Sequence, residues 1–281
     1  MVLLNENEII FFVGGLCTHS EYFENIQNGL KHVTTKVITI PNKINTEKNT
    51  FEDYCQYVSK IIRHECDKTG WHTVTIVSFS MSCLISLQVA TDLERQYSEI
   101  KFSSVLVNPA NIFNEVWCDV TNLFDAKNHN APLMKSGINT SKHVTKLNNI
   151  NIYLKTLFLI MKWIPLGSNI ILYLYYMLYG YKLNEPWCLL KYIVNEKYDD
   201  ILNVIRETMI KSSWTDIIKK RWVDDAYLSR VKIISGRDDR YNAFARLLTT
   251  EYNDKFVLKE IEGQHHILYY NYDDIIDMMI T

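Results

Sequence analysis

Six short runs rich in β-branched and aromatic residues recur along the chain, and helix-period stretches separate most of them. The runs are 9–13 (IIFFV), 36–40 (KVITI), 73–77 (TVTIV), 104–107 (SVLV), 231–234 (VKII) and 256–261 (FVLKEI). Near-continuous apolar runs of this length read as strands buried on both faces. Between the second and third, residues 50–68 (TFEDYCQYVSKIIRHECDK) start on a Thr cap, carry acids in the first turn and repeat apolar positions at three-to-four spacing. Those are the marks of an amphipathic helix. A second helical pattern, 81–93, follows the third run directly. Strands alternating with helices need crossover connections, so the pattern predicts an α/β domain with a mostly parallel sheet and helices on both faces.

The alternation breaks after Pro109. From 110 to 227 no run of comparable quality occurs. The stretch is Asn-rich at first, then aromatic and helical, as in NIYLKTLFLIMKWIPL and IILYLYYMLYGY. It resumes near residue 228. The 281 residues therefore read as a core made of 1–109 and 228–281, with a helical cap or lid over 110–227 inserted after the strand ending near Val107. Within the insertion, 163–181 carries no charge, but Pro165, Gly167, Ser168 and Asn169 interrupt it. Its clean apolar part is short for a spanning helix and reads as a buried cap helix. Such a cap leaves room for peripheral membrane contact.

Lys plus Arg is 30 and Asp plus Glu is 32, a net charge of −2. That excludes a nucleic-acid partner held by a globally basic surface. The six cysteines are irregularly spaced with no CxxC pair, which argues against a zinc site or a disulfide framework. Reduced, buried thiols in an intracellular, cytoplasmic protein are expected. The start MVLLNENEIIFFV has acids where a leader would be basic and no small-residue cleavage site.

The chemistry-bearing residues stand at the ends of the runs. The third run leads into Ser78-Phe79-Ser80-Met81-Ser82 and then a helix. Strand, sharp turn with a central Ser and helix is the context of a nucleophile elbow. The positions two before and two after such a nucleophile must be small. Gly is usual there; here both are Ser, so on this segment alone an ordinary strand-to-helix junction with a Ser cap reads somewhat better. After the first run, Gly14 and Gly15 allow a turn that exposes N–H groups, as an oxyanion hole requires. A phosphate-binding turn lacks its third Gly and its Lys. The run at 231–234 leads into Ser235-Gly236-Arg237-Asp238-Asp239-Arg240. An Asp at a strand end can orient a His, although a loop acid paired with an Arg is the plain alternative. The last run ends in Glu262-Gly263-Gln264-His265-His266, where a His could act as general base. Gly14, Gly15, Gly236 and Gly263 are four of only nine glycines, so the chain spends scarce Gly at these turns. The order Gly-rich turn, Ser, Asp, His is the chain order of one known triad arrangement.

On these residues the sequence resembles the α/β-hydrolase superfamily, and within it the monoacylglycerol lipase and lysophospholipase-like serine esterases. GGLCTHSEYF resembles that branch's HG-x-x-x-HS-x-x-Y segment, with Gly14 in place of its first His. SFSMS resembles the GHSMG elbow, LVNPA the strand end before the cap, ISGRDDRYN the G-x-x-D acid segment and EGQHHIL the terminal G-x-H segment. The resemblance implies Ser80 as nucleophile, Asp239 as acid with Asp238 second, and His265 as base ahead of His266. It places the oxyanion donors on Leu16 and Met81. It implies an ester or thioester hydrolase acting on a lipid or other small acyl substrate, with no metal or organic cofactor. Phe79 replaces the His before the nucleophile, and the hairpin that often opens this fold is not expected ahead of Ile9. Haloalkane and epoxide chemistry is disfavoured, since those relatives use an Asp where Ser80 stands. Two other classes remain: a non-catalytic binding protein, motivated by the Ser-for-Gly changes, and an acyltransferase using the same residues.

Overall fold

A computed structural model of the chain describes residues 7–15, 18–44, 49–68, 70–109, 188, 200, 203–204, 208, 229–239 and 257–280. Six strands form one sheet: β1 (Glu8–Val13), β2 (Thr34–Ile38), β3 (Thr73–Phe79), β4 (Lys101–Val107), β5 (Val231–Gly236) and β6 (Val257–Ile261). Their order is β2-β1-β3-β4-β5-β6, and every adjacent pair is parallel. The chain steps from β1 to one side for β2, crosses back to β3, and then advances steadily to β6. The order thus reverses between β1 and β3. In open parallel sheets, ligands bind at the carboxyl ends of the strands beside such a reversal.

The helices are α1 (Glu24–Gly29, entered through a 3₁₀ turn at Ser20–Phe23), α2 (Phe51–Lys68), α3 (Ser82–Gln96), α4 (Ile267–Tyr270) and α5 (Tyr272–Ile280). Helix α2 starts on a reciprocal cap. Thr50 Oγ1 accepts the Asp53 N–H at 3.3 Å, and Asp53 Oδ2 accepts the Thr50 N–H at 2.7 Å. That satisfies donors which a helix start leaves open.

The run IIFFV is apolar throughout because β1 has two buried faces. Ile9, Phe11 and Val13 alternate onto the side holding Val58 and Ile62 of α2 and Leu84 of α3. Ile10 and Phe12 face Phe23, Ile26 of α1, Leu268 of α4 and Ile275 of α5. This is the period of two that a strand imposes on its side chains. Each such side chain contributes about 1.5–3 kcal/mol by leaving water.

All six expected strands are present. β2 runs earlier than the apolar run 36–40, and β3 continues to Phe79, directly against Ser80. The helix expected at 81–93 spans Ser82–Gln96. Helices α1 and α4, of six and four residues, are too short to carry a helical period, whereas α5 begins with two acids and repeats apolar residues at three-to-four spacing, a signal the sequence expectation does not include. The cap expected at 110–227, its uncharged stretch 163–181 included, lies outside the described residues except at single positions. Of these, Cys188 is buried with the α1 and α4 side chains, and Val204 with those of α2 and α3. Asn203 Nδ2 donates to Asn49 O at 3.1 Å. Among the described residues, no helix is long and apolar enough to cross a membrane. The four described cysteines, Cys55, Cys66, Cys83 and Cys188, are buried thiols with no disulfide among them.

The amino ends of the middle strands are tied by a charged fork. Arg230, just before β5, donates to both carboxylate oxygens of Glu94 on α3 and to Phe102 O at 2.9 Å. Glu94 also accepts the Phe102 N–H at 3.1 Å.

Candidate active site

Ser80 sits between β3 and α3 at φ 56°, in the left-handed region that L-residues other than Gly, Asn and Asp rarely occupy. A conformation of this kind costs about 1–3 kcal/mol and persists only where its surroundings enforce it. The surroundings here are specific. The Ser80 N–H donates to Val107 O at 3.0 Å, and the Cys83 N–H to Ser80 O at 3.2 Å. Ser82 Oγ accepts the Phe79 N–H at 3.1 Å and lies 2.8 Å from Val13 O and 2.9 Å from Phe79 O. Ser78 Oγ donates to Val105 O at 3.4 Å. Both flanking serines are completely buried. Their hydroxyls find carbonyls on neighbouring backbone, so the residues replacing Gly fit the elbow without an orphaned polar atom.

The turn after β1 abuts the elbow. A Cβ on Gly15 would lie 2.9 Å from Phe79 O and 3.2 Å from Ser80 Cβ, closer than a side chain tolerates against fixed backbone. Leu16, the expected first oxyanion donor, lies outside the described residues. Met81, the expected second, is buried directly after Ser80 at the start of α3. Its N–H belongs to the set that a helix start leaves without an intrahelical acceptor.

Three strand-end residues meet. His265 Nε2 lies 2.9 Å from Ser80 Oγ, and His265 Nδ1 lies 3.0 Å from Asp239 Oδ2. The Asp239 side chain is fully buried, while that of His265 is 21% exposed. A carboxylate only accepts, so it places the ring proton on Nδ1 and turns the Nε2 lone pair toward the Ser80 hydroxyl. Asp238 points elsewhere: it is exposed, and its N–H donates to Gly263 O at 3.0 Å. His266 also lies apart from this line. Its Nδ1 is 3.1 Å from the Tyr22 hydroxyl, and its ring packs edge-on to Tyr22. Burial, and then the nearby His265, hold its pKa well below 6.5, so it is neutral. Burial likewise raises the Tyr22 pKa, leaving a neutral phenol as the donor. Burial pushes the Cys83 thiol up to about 12, so this cysteine beside the elbow is not a thiolate nucleophile.

Two loops carry the acid and the base, and they touch. Gly263 has φ +130°, and a Cβ on Gly236 would lie 2.5 Å from Gln264 O and 2.6 Å from Gly263 O. Asn108 is a polar residue at this site that sequence reasoning passed over. So is the Tyr22–His266 contact, although Tyr22 lies inside the HSEYF segment. Among the described residues, no group of three or more His, Cys, Asp or Glu side chains is arranged to hold a metal ion.

No family model and no curated protein matches the sequence. Solved structures do match. One is an alpha/beta hydrolase enzyme from a Medee basin deep-sea metagenome library, at 14% identity and a TM-score of 0.58, covering 99% of this chain and 89% of that one. MenH from S. aureus is similar at 14% identity and a TM-score of 0.58, over 99% and 94% of the two chains. A lipase-esterase related protein from Clostridium acetobutylicum matches at 14% identity and a TM-score of 0.56, over 97% and 93%. At this identity the likeness is one of fold. Together with the parallel sheet and its strand order, it shows that the chain has the α/β-hydrolase fold.

Proposed function

We propose that this chain is a serine hydrolase that cleaves a carboxylic ester or thioester through an acyl-enzyme on Ser80. The reading rests on the hydrogen-bonded line from Ser80 Oγ through His265 to Asp239, at 2.9 and 3.0 Å. In this mechanism Ser80 Oγ attacks the carbonyl carbon while its proton passes to His265 Nε2. The carbonyl electron pair moves onto oxygen, which faces the Met81 N–H and, by the family resemblance, that of Leu16. Each such donor supplies about 3–4 kcal/mol of transition-state stabilisation. Collapse breaks the bond to the alcohol or thiol, which leaves with the proton from His265. Water then attacks the acyl carbon, gives a proton to Nε2, and collapse returns that proton to Ser80 Oγ as the acid departs. Asp239 keeps the imidazole tautomer and stabilises the imidazolium formed in each half.

Fold alone does not set chemistry. Structures similar to this one include proteins named as a deformylase, a haloalkane dehalogenase, a thioesterase domain and carboxylesterases. A serine at the elbow, with a His–Asp pair beside it, supports the ester and thioester end of that range. The Leu, Ile, Tyr and Met content of 153–194 supports an apolar acyl group, as in a lipid or a long-chain acyl thioester.

A fluorophosphonate serine probe tests the reading. The wild-type chain is expected to take the label on Ser80, with all labelling lost in Ser80→Ala. A folded wild-type chain that takes no label would overturn the enzyme reading in favour of a non-catalytic binding protein. In a series of nitrophenyl esters, turnover is expected to rise with acyl length. A sharp preference for acetyl would remove the lipid assignment and leave the esterase intact.

A further inference from the structure

Asn108 follows the last residue of β4 and is 1% exposed. Its φ is 45°; with Ser80 it is one of two non-Gly residues at positive φ among those described. The next residue is Pro109, whose ring disfavours helical backbone in the residue before it. Asn tolerates the left-handed region better than other L-residues, and the contacts of its side chain show what that conformation serves. The side chain reaches across two neighbouring strands. Oδ1 accepts the Gly236 N–H at 2.6 Å, at the start of the loop that carries Asp239. Nδ2 donates to Gln264 O at 3.1 Å and to His265 O at 2.5 Å, in the loop that carries the base. The amide orientation is unambiguous, because the reverse would set NH₂ against an N–H and a carbonyl oxygen against two carbonyls. The backbone N–H of Asn108 is used as well, donating to Ile234 O at 2.8 Å.

We propose that Asn108 is a positioning residue that locks the acid loop to the base loop and so fixes the His265–Asp239 geometry. It rests on the serine-hydrolase reading only for the catalytic consequence. One amide spans the two loops, which meet through small residues and backbone, and it grips the His265 carbonyl itself. Loss of the amide frees the His265 backbone to move relative to Asp239. Displacements of about 1 Å in such a site cost roughly 100-fold in rate.

Two variants test this. Asn108→Gly keeps the positive φ free of strain and removes the amide. Asn108→Asp keeps an acceptor for Gly236 but turns an acceptor toward the two carbonyls. In Asn108→Gly, Ser80 labelling by the fluorophosphonate and kcat on an ester are both expected to fall about 100-fold, with KM near wild type and a lower thermal midpoint, because the Gly236 N–H loses its acceptor. The spectroscopic signature is the downfield proton NMR signal of His265 Nδ1–H, recorded in a Ser80→Ala background. It is expected to disappear in both Asn108 variants, while slow exchange of the Gly236 amide is lost in Asn108→Gly and kept in Asn108→Asp. Wild-type labelling together with an unchanged His265 signal in Asn108→Gly would overturn the proposal. If the wild-type chain takes no label, the hydrolase reading fails, and the His265 signal still decides the lock. If neither variant folds, the wild-type Gly236 amide decides it: exchange as fast as an exposed turn would overturn the lock, and strong protection supports it.

Discussion

The two ends of the parallel sheet are built by opposite means. At the amino ends, Arg230 and Glu94 form a charged fork whose side chains keep 17% and 24% of their surface in water, and the strands beside it are regular. At the carboxyl ends the polar groups are dry and the backbone is bent. Ser80 and Asn108 hold positive φ, Gly15 and Gly236 press against neighbouring backbone, and Ser78, Ser82 and the Asp239 carboxylate are buried. A half-wet fork can lose a partner and rehydrate what remains. A dry, strained end cannot, so a change there alters geometry as well as stability. The sheet between them is the rigid body that lets the strained end exist.

Substitutions can break that contrast. The largest effect is expected for Gly15→Ala, whose Cβ would press on Phe79 O and the Ser80 side chain. Labelling of Ser80 should fall about 100-fold or more, and urea melts should lose about 1–3 kcal/mol; normal labelling would erase the distinction between the ends. Ser82→Ala comes next. It leaves the Phe79 N–H buried without its acceptor, which costs about 1–3 kcal/mol, and labelling should slow because the elbow loses its tie to β1. Arg230→Ala should cost about 1–2 kcal/mol while the folded protein labels at the wild-type rate. Slowed labelling there would show that the lower end also controls the site. The smallest effect is a pH dependence. His266 is neutral in the folded chain, with a pKa well below the ordinary 6.5. Above pH 6.5 it is neutral folded and unfolded and contributes no slope. Below 6.5 the unfolded chain takes up the proton first, so stability declines as pH falls toward the folded pKa. His266→Gln, which does not titrate, should flatten that part of the stability profile in chemical melts.

The strands were legible because a strand buried on both faces leaves no polar positions to blur its edges, as in IIFFV. Ser80, Asp239 and His265 could be read as candidates because each ends such a run beside a scarce glycine or a helix start. What escaped depends on which strands become neighbours. Asn108 in VNPA reads as a turn before a proline. Its partners are Gly236, which ends β5, and His265 in the loop after β6, and the adjacency of those strands is a property of the sheet order. Tyr22 and His266 are 244 residues apart, so their bond leaves no local trace. The serines at 78 and 82 read as departures from Gly because sequence shows size before it shows which carbonyl a hydroxyl can reach.

The pairing of β4 with β5 has a consequence for how such a chain can change. Ser104 pairs with Val231 and Val107 with Ile234, so the chain leaves the sheet at β4 and re-enters it in the adjacent strand. The intervening segment leaves at the carboxyl end of one strand and returns at the amino end of its parallel neighbour, so both of its ends are anchored in the sheet. Closing such a segment costs only about 0.6 kcal/mol more for each doubling of its length. Residues between the two strands that do not pack on the core can therefore be lengthened or shortened at little entropic cost, while the sheet and the residues at its carboxyl ends keep their places. If substrate choice resides in that segment, one scaffold can be readdressed to new substrates by rewriting it around the few positions, such as Cys188 and Val204, that pack on the core.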